Sequence, residues 1–372
     1  MRSVLSSLFA ALAVSPLLAA CAPRPSQSYE RGSHCPPFSG NFSIHAYQLY
    51  PENGDFDFNA CVLYIGYDPR PNTLRPILIS IRILWNASVG VYDPYKKKLE
   101  VVEFPGITHN REFHIGGVAI NPNTNLLSVV VDAGAAFDTW GQDISGTNYI
   151  MQWNPSTRKL TYKHNLTTIT QGRWGGPQDI EFDPDDNVYV VGTFPSSIMR
   201  VDSKGKKVET WYLDDNLNHT IAGYGGLASN GWTLITNDHD TGDLFRFDMR
   251  AKKGTPTKIR VKPEHKIQNT DAIQLPRRYK GTVLLVAENG IGMSVYRDKK
   301  GEWKEAEFLG IVPWADAAAP ATAPLQIGDG VYLNIIQFGD AGLGGPGTAG
   351  NRTDFPYVDI TAQVDALLKK KN

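Results

Sequence analysis

The chain contains little cysteine, few helical patterns and no long apolar span. Three of its 372 residues are cysteine, and 37 basic residues stand against 38 acidic ones. Basic residues are scattered except for a short run at Lys369–Lys371, so nothing in the sequence predicts binding to nucleic acid. No motif for a nicotinamide, flavin or haem cofactor is visible, so we expect chemistry without a redox step.

The N-terminus has the pattern of a secretory signal peptide. Arg2 precedes an apolar run at Val4–Leu18 and then small residues, and the run is too short for a transmembrane span. Residues 18–21 (LAAC) also match a bacterial lipoprotein cleavage box, but five N-glycosylation sequons favour a eukaryotic secretory protein. We expect a signal peptide at 1–22 and a protein that is secreted or retained in the endomembrane system. The sequons lie at Asn41, Asn86, Asn165, Asn218 and Asn351.

The cysteine count agrees with this compartment. Cleavage of the signal near Ala20–Ala22 would remove Cys21 and leave Cys35 and Cys61. An even pair in an oxidising compartment predicts a disulfide that ties the N-terminal segment to the first repeat. The alternative is a pair of buried thiols.

One short β-rich pattern recurs six times along the chain. Each copy has an apolar run, a turn rich in Asn, Asp, Gly or Pro, and a second apolar run that ends in polar residues. The period is roughly 45 to 60 residues, in the range of propeller blades. The sequence therefore predicts an all-β, six-bladed β-propeller as a single domain at 41–372, after an irregular arm at 23–40, and we expect a monomer. The copies are Ala46–Gly66, His114–Phe137, Pro177–Ser197, Tyr224–Gly242, Thr270–Gly290 and Pro324–Gly342.

Two segments depart from the pattern. Tyr67–Ile83 interrupts the first repeat and has a high apolar content for a surface loop. It is either a long loop or the product of an intron retained in the gene model. Ala362–Lys371 carries the only useful helical periodicity and predicts a C-terminal helix.

Propeller geometry predicts where polar residues meet. The segment that leads into the first strand of each blade and the loop that leaves the second strand lie on the same face of the disc. Carboxylates, amides and an imidazole that converge at one channel mouth are what acid–base or metal chemistry requires. The segments that lead into first strands hold Gln48, His114, Gln178, Asp179, Tyr224 and Asp271. The loops that leave second strands hold Asp132, Thr193, Asn237, Asp238, His239, Glu288, Asn289, Gln337 and Asp340.

Five of these residues are the predicted catalytic groups. His114 has a side chain suited to a general base at neutral pH, or it bonds a neighbouring blade. Asp179 and Asp271 occupy equivalent points of their repeats, so near the axis they would share a cation or a proton, or each caps amides of the next blade. Asp132 and Glu288 follow apolar runs directly, so burial would raise their pKa and let one act as an acid.

The remaining residues of the mouth are predicted to bind substrate or to build turns. Asp238, His239 and Asp240 fit a turn that faces solvent. Aromatic residues of the mouth loops are candidates for the wall of an apolar pocket, namely Phe137, Trp140, Trp174, Phe194 and Phe338. The predicted substrate-binding residues are Gln178, Tyr224, Thr193, Phe137, Trp140, Asn237, Asn289 and Gln337.

Units such as QDIEFDPDDNVYVVGT (178–193) resemble the SMP-30/gluconolactonase and paraoxonase group of six-bladed propellers. This resemblance implies a divalent cation, usually calcium, held by Glu and Asn/Asp side chains of the inner strands. At the corresponding places this chain has Tyr47-Gln48, Gln178-Asp179 and Gly225-Gly226, and it keeps Asp271. Asp179 and Asp271 are therefore the candidate metal ligands that the resemblance implies.

The runs NASVGVYDPYKKKLEVVEFPGITHN (86–110) and VVGTFPSSIMRVD (190–202) resemble secreted propeller proteins of fungal trichothecene biosynthetic clusters. This implies a role in forming a sesquiterpenoid toxin, and with it a role in virulence. We expect an enzyme that acts on a small apolar metabolite by non-redox acid–base chemistry, such as ring closure. The alternatives are a calcium-dependent lactonase or esterase, and a non-catalytic propeller that binds a metabolite or a host partner.

Overall fold

A computed structural model describes residues 35–67, 87–110, 112–340 and 350–370. Within these ranges the strands form six separate sheets of four or five strands arranged around one axis. The predicted all-β, six-bladed propeller is therefore confirmed. The signal peptide, Asn86 and the segment after Tyr67 lie outside the described residues.

The first strand of the chain is β1 (Phe42–His45), and the six blades follow it. In each blade the first strand lies nearest the axis and the later strands lie progressively outward. Blade 1 contains β2 (Gly54–Asp57), β3 (Val62–Tyr67), β4 (Ser88–Asp93) and β5 (Lys98–Val102). Blade 2 contains β6 (Phe113–Ile120), β7 (Leu127–Ala133), β8 (Tyr149–Asn154) and β9 (Lys159–Asn165). Blade 3 contains β10 (Gly175–Phe182), β11 (Val188–Phe194), β12 (Ser197–Val201) and β13 (Val208–Leu213).

The second half of the chain repeats the arrangement. Blade 4 contains β14 (Tyr224–Asn230), β15 (Thr233–Asp238), β16 (Leu244–Asp248) and β17 (Thr257–Lys258). Blade 5 contains β19 (Thr270–Gln274), β20 (Val283–Glu288), β21 (Gly292–Arg297) and β22 (Glu305–Pro313), with β18 (Arg260–Lys262) parallel to β22 at its edge. Blade 6 contains β23 (Ala321–Ile327), β24 (Gly330–Ile335) and β25 (Asp354–Asp359).

The ring is closed by β1, which forms the outermost strand of blade 6. It pairs antiparallel with β25, with Phe42 opposite Tyr357. Strands from the two ends of the chain therefore share one sheet. Pairing of this kind ties the first blade to the last and leaves no gap in the ring.

Three short helices lie outside the sheets. The first two, α1 (Ala135–Asp138) and α2 (Leu166–Thr170), follow second and fourth strands of blade 2, and a 3₁₀ turn covers Arg277–Tyr279. The C-terminal helix α3 (Thr361–Lys370) begins one residue before the predicted segment. Its Val364 is fully buried, so the helix packs on the propeller.

The apolar core lies in layers between adjacent blades. Between blades 1 and 2, for example, Val129, Met151 and Trp153 pack with Tyr64 and Val89, and all five are buried. Strands that are covered on both faces read as nearly continuous apolar runs, as β7 and β20 do. The polar residues are thereby left to the channel and the loops.

Glycine lets the inner strands approach closely around the axis. A Cβ atom on Gly117 would lie 2.3 Å from the carbonyl oxygen of Gln178 in the next blade. On Gly226 it would lie 2.6 Å from the amide nitrogen of Ile273. No side chain fits at these distances, so the two positions require glycine.

The structure corrects the start of the first repeat. Its inner strand β2 begins at Gly54 and not near Ala46, because residues 46–53 first cross from blade 6. Gln48 is buried in this crossing, where its side chain donates to the carbonyl oxygen of Gly350. The residues that lead into the first strand are therefore Glu52 and Asn53, not Gln48.

Candidate active site

The disc has two faces, and the sequence prediction concerns one of them. We call the face on which the inner strands begin the upper face, and the face on which they end the lower face. The loops between second and third strands also lie on the upper face, because neighbouring strands are antiparallel. The channel has a mouth on each face.

Four carboxyl groups belong to the upper mouth. Glu52 leads into β2, Asp132 lies near the end of β7, Asp138 ends α1, and Asp271 lies in β19. The charges of Asp132, Asp271 and Asp138 all raise the pKa of Glu52, so the four groups are close enough to interact. We call them the upper carboxyls.

Burial separates the upper carboxyls into acids and bases. It raises the pKa of Asp132 to about 8, with a further contribution from the charge of Asp138. It also raises the pKa of Glu52 well above its ordinary value. Exposed Asp138 loses only part of its hydration, so its pKa rises only to about 6, as does the pKa of the half-buried Asp271. Near neutral pH, Asp132 and Glu52 thus hold protons while Asp138 and Asp271 are ionised.

His114 lies beside Asp132, on the neighbouring strand. The two residues face each other across β6 and β7, with 3.7 Å between His114 Nδ1 and Asp132 Oδ1. Burial lowers the pKa of His114 to about 4, so its imidazole is neutral at physiological pH. Asp132 Oδ1 accepts no hydrogen bond from the residues that the structure describes. This oxygen is buried, so it is an unsatisfied acceptor beneath the surface of the mouth.

Asp271 is held in place by residues of blades 4 and 5. Its Oδ2 accepts a hydrogen bond of 2.9 Å from Asn289 Nδ2, and its Oδ1 accepts the amide of Ala272 at 3.0 Å. Asn237 donates to the carbonyl oxygen of Asp271 at 2.6 Å and so fixes the backbone there. Asn289 and Asn237, which the sequence predicted as substrate-binding, therefore position Asp271.

The sequence analysis did not identify Glu52 or Asp138. Asp138 lies in the loop that leaves the second strand of blade 2, so the rule that selected Asp132 would also have selected it. Glu52 was not predicted because residues 46–53, which cross from blade 6, were assigned to the first strand of blade 1. The Asn53-Gly54 pair was the available signal for the true strand start.

Asp179 lies deeper in the channel than Asp271. Asp179 follows the bulge in β10, whereas in β19 the residue that follows the bulge is Ile273. The two aspartates are therefore not equivalent, which corrects the sequence prediction. Asp179 Oδ1 accepts from the Ile180 amide and, at 3.3 Å, from Asn53, and its Oδ2 accepts the amide of Leu227 in blade 4.

Asp179 borders a cavity of about 540 Å³ that opens on the lower face. Asp55 and Glu181 also line it, and both reach the next blade: Asp55 accepts the Ile120 amide and Glu181 accepts the Ser229 hydroxyl. Burial raises the pKa of Asp55 and that of Asp179 to about 7, and the pKa of Glu181 to about 8. We call Asp55, Asp179 and Glu181 the lower carboxyls.

Three predicted residues lie away from the mouth. Glu288 is buried and binds His265 Nε2 at 2.8 Å, the Gln268 amide at 2.8 Å and the Ser294 hydroxyl. Thr193 donates to the carbonyl oxygen of Tyr224, which links blades 3 and 4. Tyr224 itself is buried and stacks on Tyr212. These side chains turn away from the channel because strand residues alternate between the two faces of a blade.

Aromatic side chains form one wall of the upper mouth. Phe194 is fully buried, and Phe137 and Trp140 meet it edge-on at 5.3 and 5.9 Å between ring centroids. Trp140 is 54% exposed and also meets His239 edge-on at 5.6 Å. His239 is half-buried and not fully solvent-facing as expected, and this burial lowers its pKa to about 4.

The other predicted residues are divided between the mouth and the structure around it. Asp238 accepts the Thr241 hydroxyl and closes a turn, as expected, but it is buried and does not face solvent. Asp340 pairs with Arg352 at 2.6 Å. Trp174 is buried and Phe338 is 47% exposed.

Two glutamines complete the upper mouth. Gln178 lies at the bulge of β10, and Gln337 follows β24. Neither amide bonds another residue of the described part of the chain, so both stay available to a ligand.

The residues do not fit the calcium site that the resemblance implied. The oxygens of Asp179 and of Asp271 already accept N–H donors, and the two side chains lie at different depths. Over the described ranges, no three His, Cys, Asp or Glu side chains are grouped to hold a metal ion.

The structure joins Cys35 and Cys61 in a disulfide with 5.5 Å between their Cα atoms. Four of the five sequons are described, and their asparagines are exposed. They are Asn41, Asn165, Asn218 and Asn351. Among the described helices, none combines the length and apolar character that crossing a bilayer requires.

The fold and the site define a six-bladed β-propeller whose upper channel mouth carries four carboxyl groups beside a wall of aromatic rings. Among solved structures, the chain is similar to the major allergen Mala s 1 of Malassezia sympodialis, with a TM-score of 0.71 and 19% identity over 87% of this chain and 96% of the allergen. It is also similar to a gluconolactonase of Xanthomonas campestris, with a TM-score of 0.50 and 13% identity over 86% of this chain and 89% of the other. At these identities the likeness concerns the fold alone.

Two curated relatives show the family. The chain is 34% identical to trichothecene biosynthesis protein 14 of Trichoderma arundinaceum over 90% of its length and 92% of the relative. It is 33% identical to core trichothecene cluster protein 14 of Fusarium sporotrichioides over 90% of its length and 88% of the relative. The chain belongs to the family of trichothecene cluster 14 proteins. No profile of a wider protein family matches it.

Proposed function

We propose that this protein acts in trichothecene biosynthesis, and that it closes an oxygen ring on a small apolar precursor at the upper mouth. The family supports the pathway, because both relatives carry it in their names. The chemistry rests on one observation: a single mouth holds protonated and ionised carboxyls together. Groups with separated pKa values are what paired acid and base catalysis requires.

In the proposed step, Asp132 is the acid. It donates its proton to an allylic hydroxyl of the substrate, the carbon–oxygen bond breaks, and water leaves. A second hydroxyl attacks the resulting cation, a new carbon–oxygen bond forms, and Asp138 accepts the proton that this hydroxyl releases. The net reaction is loss of one water, so no oxidant or reductant is needed.

The surroundings of the two carboxyls suit a cationic intermediate. Phe137 and Trp140 present ring surface on one side of the mouth, which attracts a cation and excludes bulk water. Ionised Asp271, held by Asn289, adds negative charge. The neutral imidazole of His114 is the second candidate for the base, because its Nδ1 lies 3.7 Å from Asp132 Oδ1.

The direct test is incubation of the purified protein with hydroxylated trichothecene precursors. We expect the ring-closed product to form faster than in buffer. The rate should fall below a pH of about 6, where Asp138 gains a proton, and above about 8, where Asp132 loses one. Product ratios that match the buffer control at every pH would refute the proposal.

A calcium-dependent lactonase is the alternative that the sequence resemblance implied, although the described residues do not supply its calcium site. This hypothesis predicts that the protein hydrolyses simple lactones and that a chelator abolishes the hydrolysis. Full hydrolysis in chelator, or none at all, removes it. A non-catalytic binding role would instead leave biological activity intact when His114, Asp132 and Asp138 are all replaced by alanine.

The predicted signal peptide, the disulfide and the exposed sequons support a place in the secretory pathway. We expect the protein isolated from its own host to carry N-glycans at one or more of the four exposed sites. A glycosidase that removes N-glycans should then increase its mobility on a gel. Unchanged mobility together with cytosolic fractionation would place the protein elsewhere.

A further inference from the structure

The fold gathers scattered basic residues on one face. The connections between third and fourth strands lie on the lower face at the rim of the disc, and we call those of blades 1–5 the outer turns. They span 94–97, 155–158, 202–207, 249–256 and 298–304. These turns hold twelve basic residues against three acids, Asp202, Asp298 and Glu302. The basic residues are Lys96, Lys97, Arg158, Lys204, Lys206, Lys207, Arg250, Lys252, Lys253, Lys299, Lys300 and Lys304.

Most of this charge is not neutralised within the protein. Five of the twelve side chains form ion pairs with nearby carboxylates, as Lys96 does with Asp93. The other seven are exposed lysines without an ion pair among the described residues. They are Lys97, Lys204, Lys206, Lys252, Lys253, Lys299 and Lys300.

The upper face has the opposite charge. Its connections between second and third strands, as far as the structure describes them, hold five acids and one base, Arg352. The acids are Asp138, Asp143, Asp240, Asp243 and Asp340. Over these described connections the lower rim is therefore positive and the upper face negative, a contrast that the near-zero net charge of the chain conceals.

The centre of the lower face carries both signs of charge. Asp183, Asp185 and Asp186 lie in the turn between β10 and β11 beside the lower mouth, where the lower carboxyls also lie. The connection 275–282 between β19 and β20 brings Arg277, Arg278 and Lys280 to the same face. A polyanion strand laid across the disc would therefore meet the three aspartates as well as basic residues. A flat anionic surface would instead touch the outer turns and leave the centre uncontacted.

We propose that the outer turns bind the protein to a membrane surface rich in anionic phospholipid headgroups. Each Lys or Arg near such a surface adds attraction that fades within about one Debye length. Turns at the same level of five blades present their charges together to a plane. Bound in this way, the protein leaves its upper mouth open to the surrounding solution.

The experiment is co-sedimentation of the full-length mature protein with vesicles. We expect binding to vesicles with about 30% phosphatidylserine at about 20 mM salt, no binding to pure phosphatidylcholine, and release at about 500 mM salt. The variant K252E/K253E should bind at least about tenfold more weakly. Adding K204E/K206E should extend the loss to about a hundredfold.

The matched control is R173E/K262E, which changes the charge by the same amount at exposed positions away from the outer turns. It should bind like the unaltered protein, and all variants should melt at similar temperatures. Equal weakening of the control and of K252E/K253E would overturn the proposal, because only net charge would then matter.

Two other outcomes also overturn it. In the first outcome, the protein does not bind the phosphatidylserine vesicles. It instead self-associates at low salt in sedimentation velocity, and K252E/K253E abolishes the association. The lower face would then dock on the acidic upper face of a second copy. Alternatively, a soluble polyanion binds tightly while the vesicles do not, and the partner is then a polymer.

Discussion

The two mouths of the channel carry similar carboxyl groups with different surroundings. Burial raises the pKa of carboxyl groups at both mouths, to about 8 for Asp132 at the upper mouth and for Glu181 at the lower mouth. The lower carboxyls, however, accept hydrogen bonds from the next blade, as Asp179 does from the Leu227 amide. At the upper mouth, buried Asp132 Oδ1 accepts none from the described residues.

This difference separates structure from chemistry better than a pKa does. A carboxyl whose oxygens bind the next blade stabilises the ring and has little capacity left for a substrate. A carboxyl with an uncommitted oxygen can exchange a proton with a ligand. We therefore place the reaction at the upper mouth and assign the lower carboxyls to the architecture.

The largest expected effect is on turnover. Asp132→Asn removes the proton donor and should slow ring closure at least about a hundredfold, with the fold intact. The measurement is product formation by chromatography, with circular dichroism as the check on folding. Glu181→Gln, at the lower mouth, is the matched control and should keep nearly full turnover. Equal losses in both variants would erase the distinction between the mouths.

The converse change concerns stability. Asp179→Ala leaves the Leu227 amide buried without its acceptor and should lower the free energy of unfolding by about 1–3 kcal/mol. Turnover per folded molecule should stay unchanged. Denaturant unfolding and active-site-normalised rates measure the two quantities. A stable but inactive Asp179→Ala would move Asp179 into the catalytic set, where the sequence alone had placed it.

Stability should also depend on pH in a defined direction. Burial raises the folded pKa of Asp132 to about 8 from 3.8, so the folded protein holds a proton that the unfolded chain releases at much lower pH. Raising the pH from about 6.5 to about 8 should therefore lower the free energy of unfolding.

Over this pH range, the free energy of unfolding of Asp132→Asn should fall by about 1–2 kcal/mol less than that of the unaltered protein. His114 and His239 are already neutral there, since burial lowers the pKa of each to about 4. Unfolding curves at the two pH values provide the measurement. Parallel pH profiles in the variant and the unaltered protein would show that Asp132 is not protonated in the fold.

The smallest effect is expected at the aromatic wall. Trp140→Ala removes an exposed ring and should raise the KM for an apolar precursor about fivefold, with little change in melting temperature. Trp140→Phe keeps a ring and should restore most of the affinity. Identical KM values in all three proteins would remove Trp140 from the pocket.

The repeat pattern predicted most of the fold, because alternating strands and polar turns are local properties of the chain. It failed at the first blade, where residues 46–53 cross from blade 6 before β2 begins. The same failure replaced Glu52 with Gln48 in the predicted site. Loop rules placed Asp132 and His114 in the mouth, yet they also selected Glu288, whose side chain points between blades to His265.

The repeats specify a ring of six similar β-sheets, since each repeat carries its own strands and turns and cannot bury its apolar faces alone. Contacts between blades specify which carboxyl oxygens accept a neighbour's amide and which accept none. That choice depends on strand register and on bulges one residue long, as in β10 and β19. A shift of one residue turns a side chain from the channel into a blade interface, and no local pattern in the chain records it.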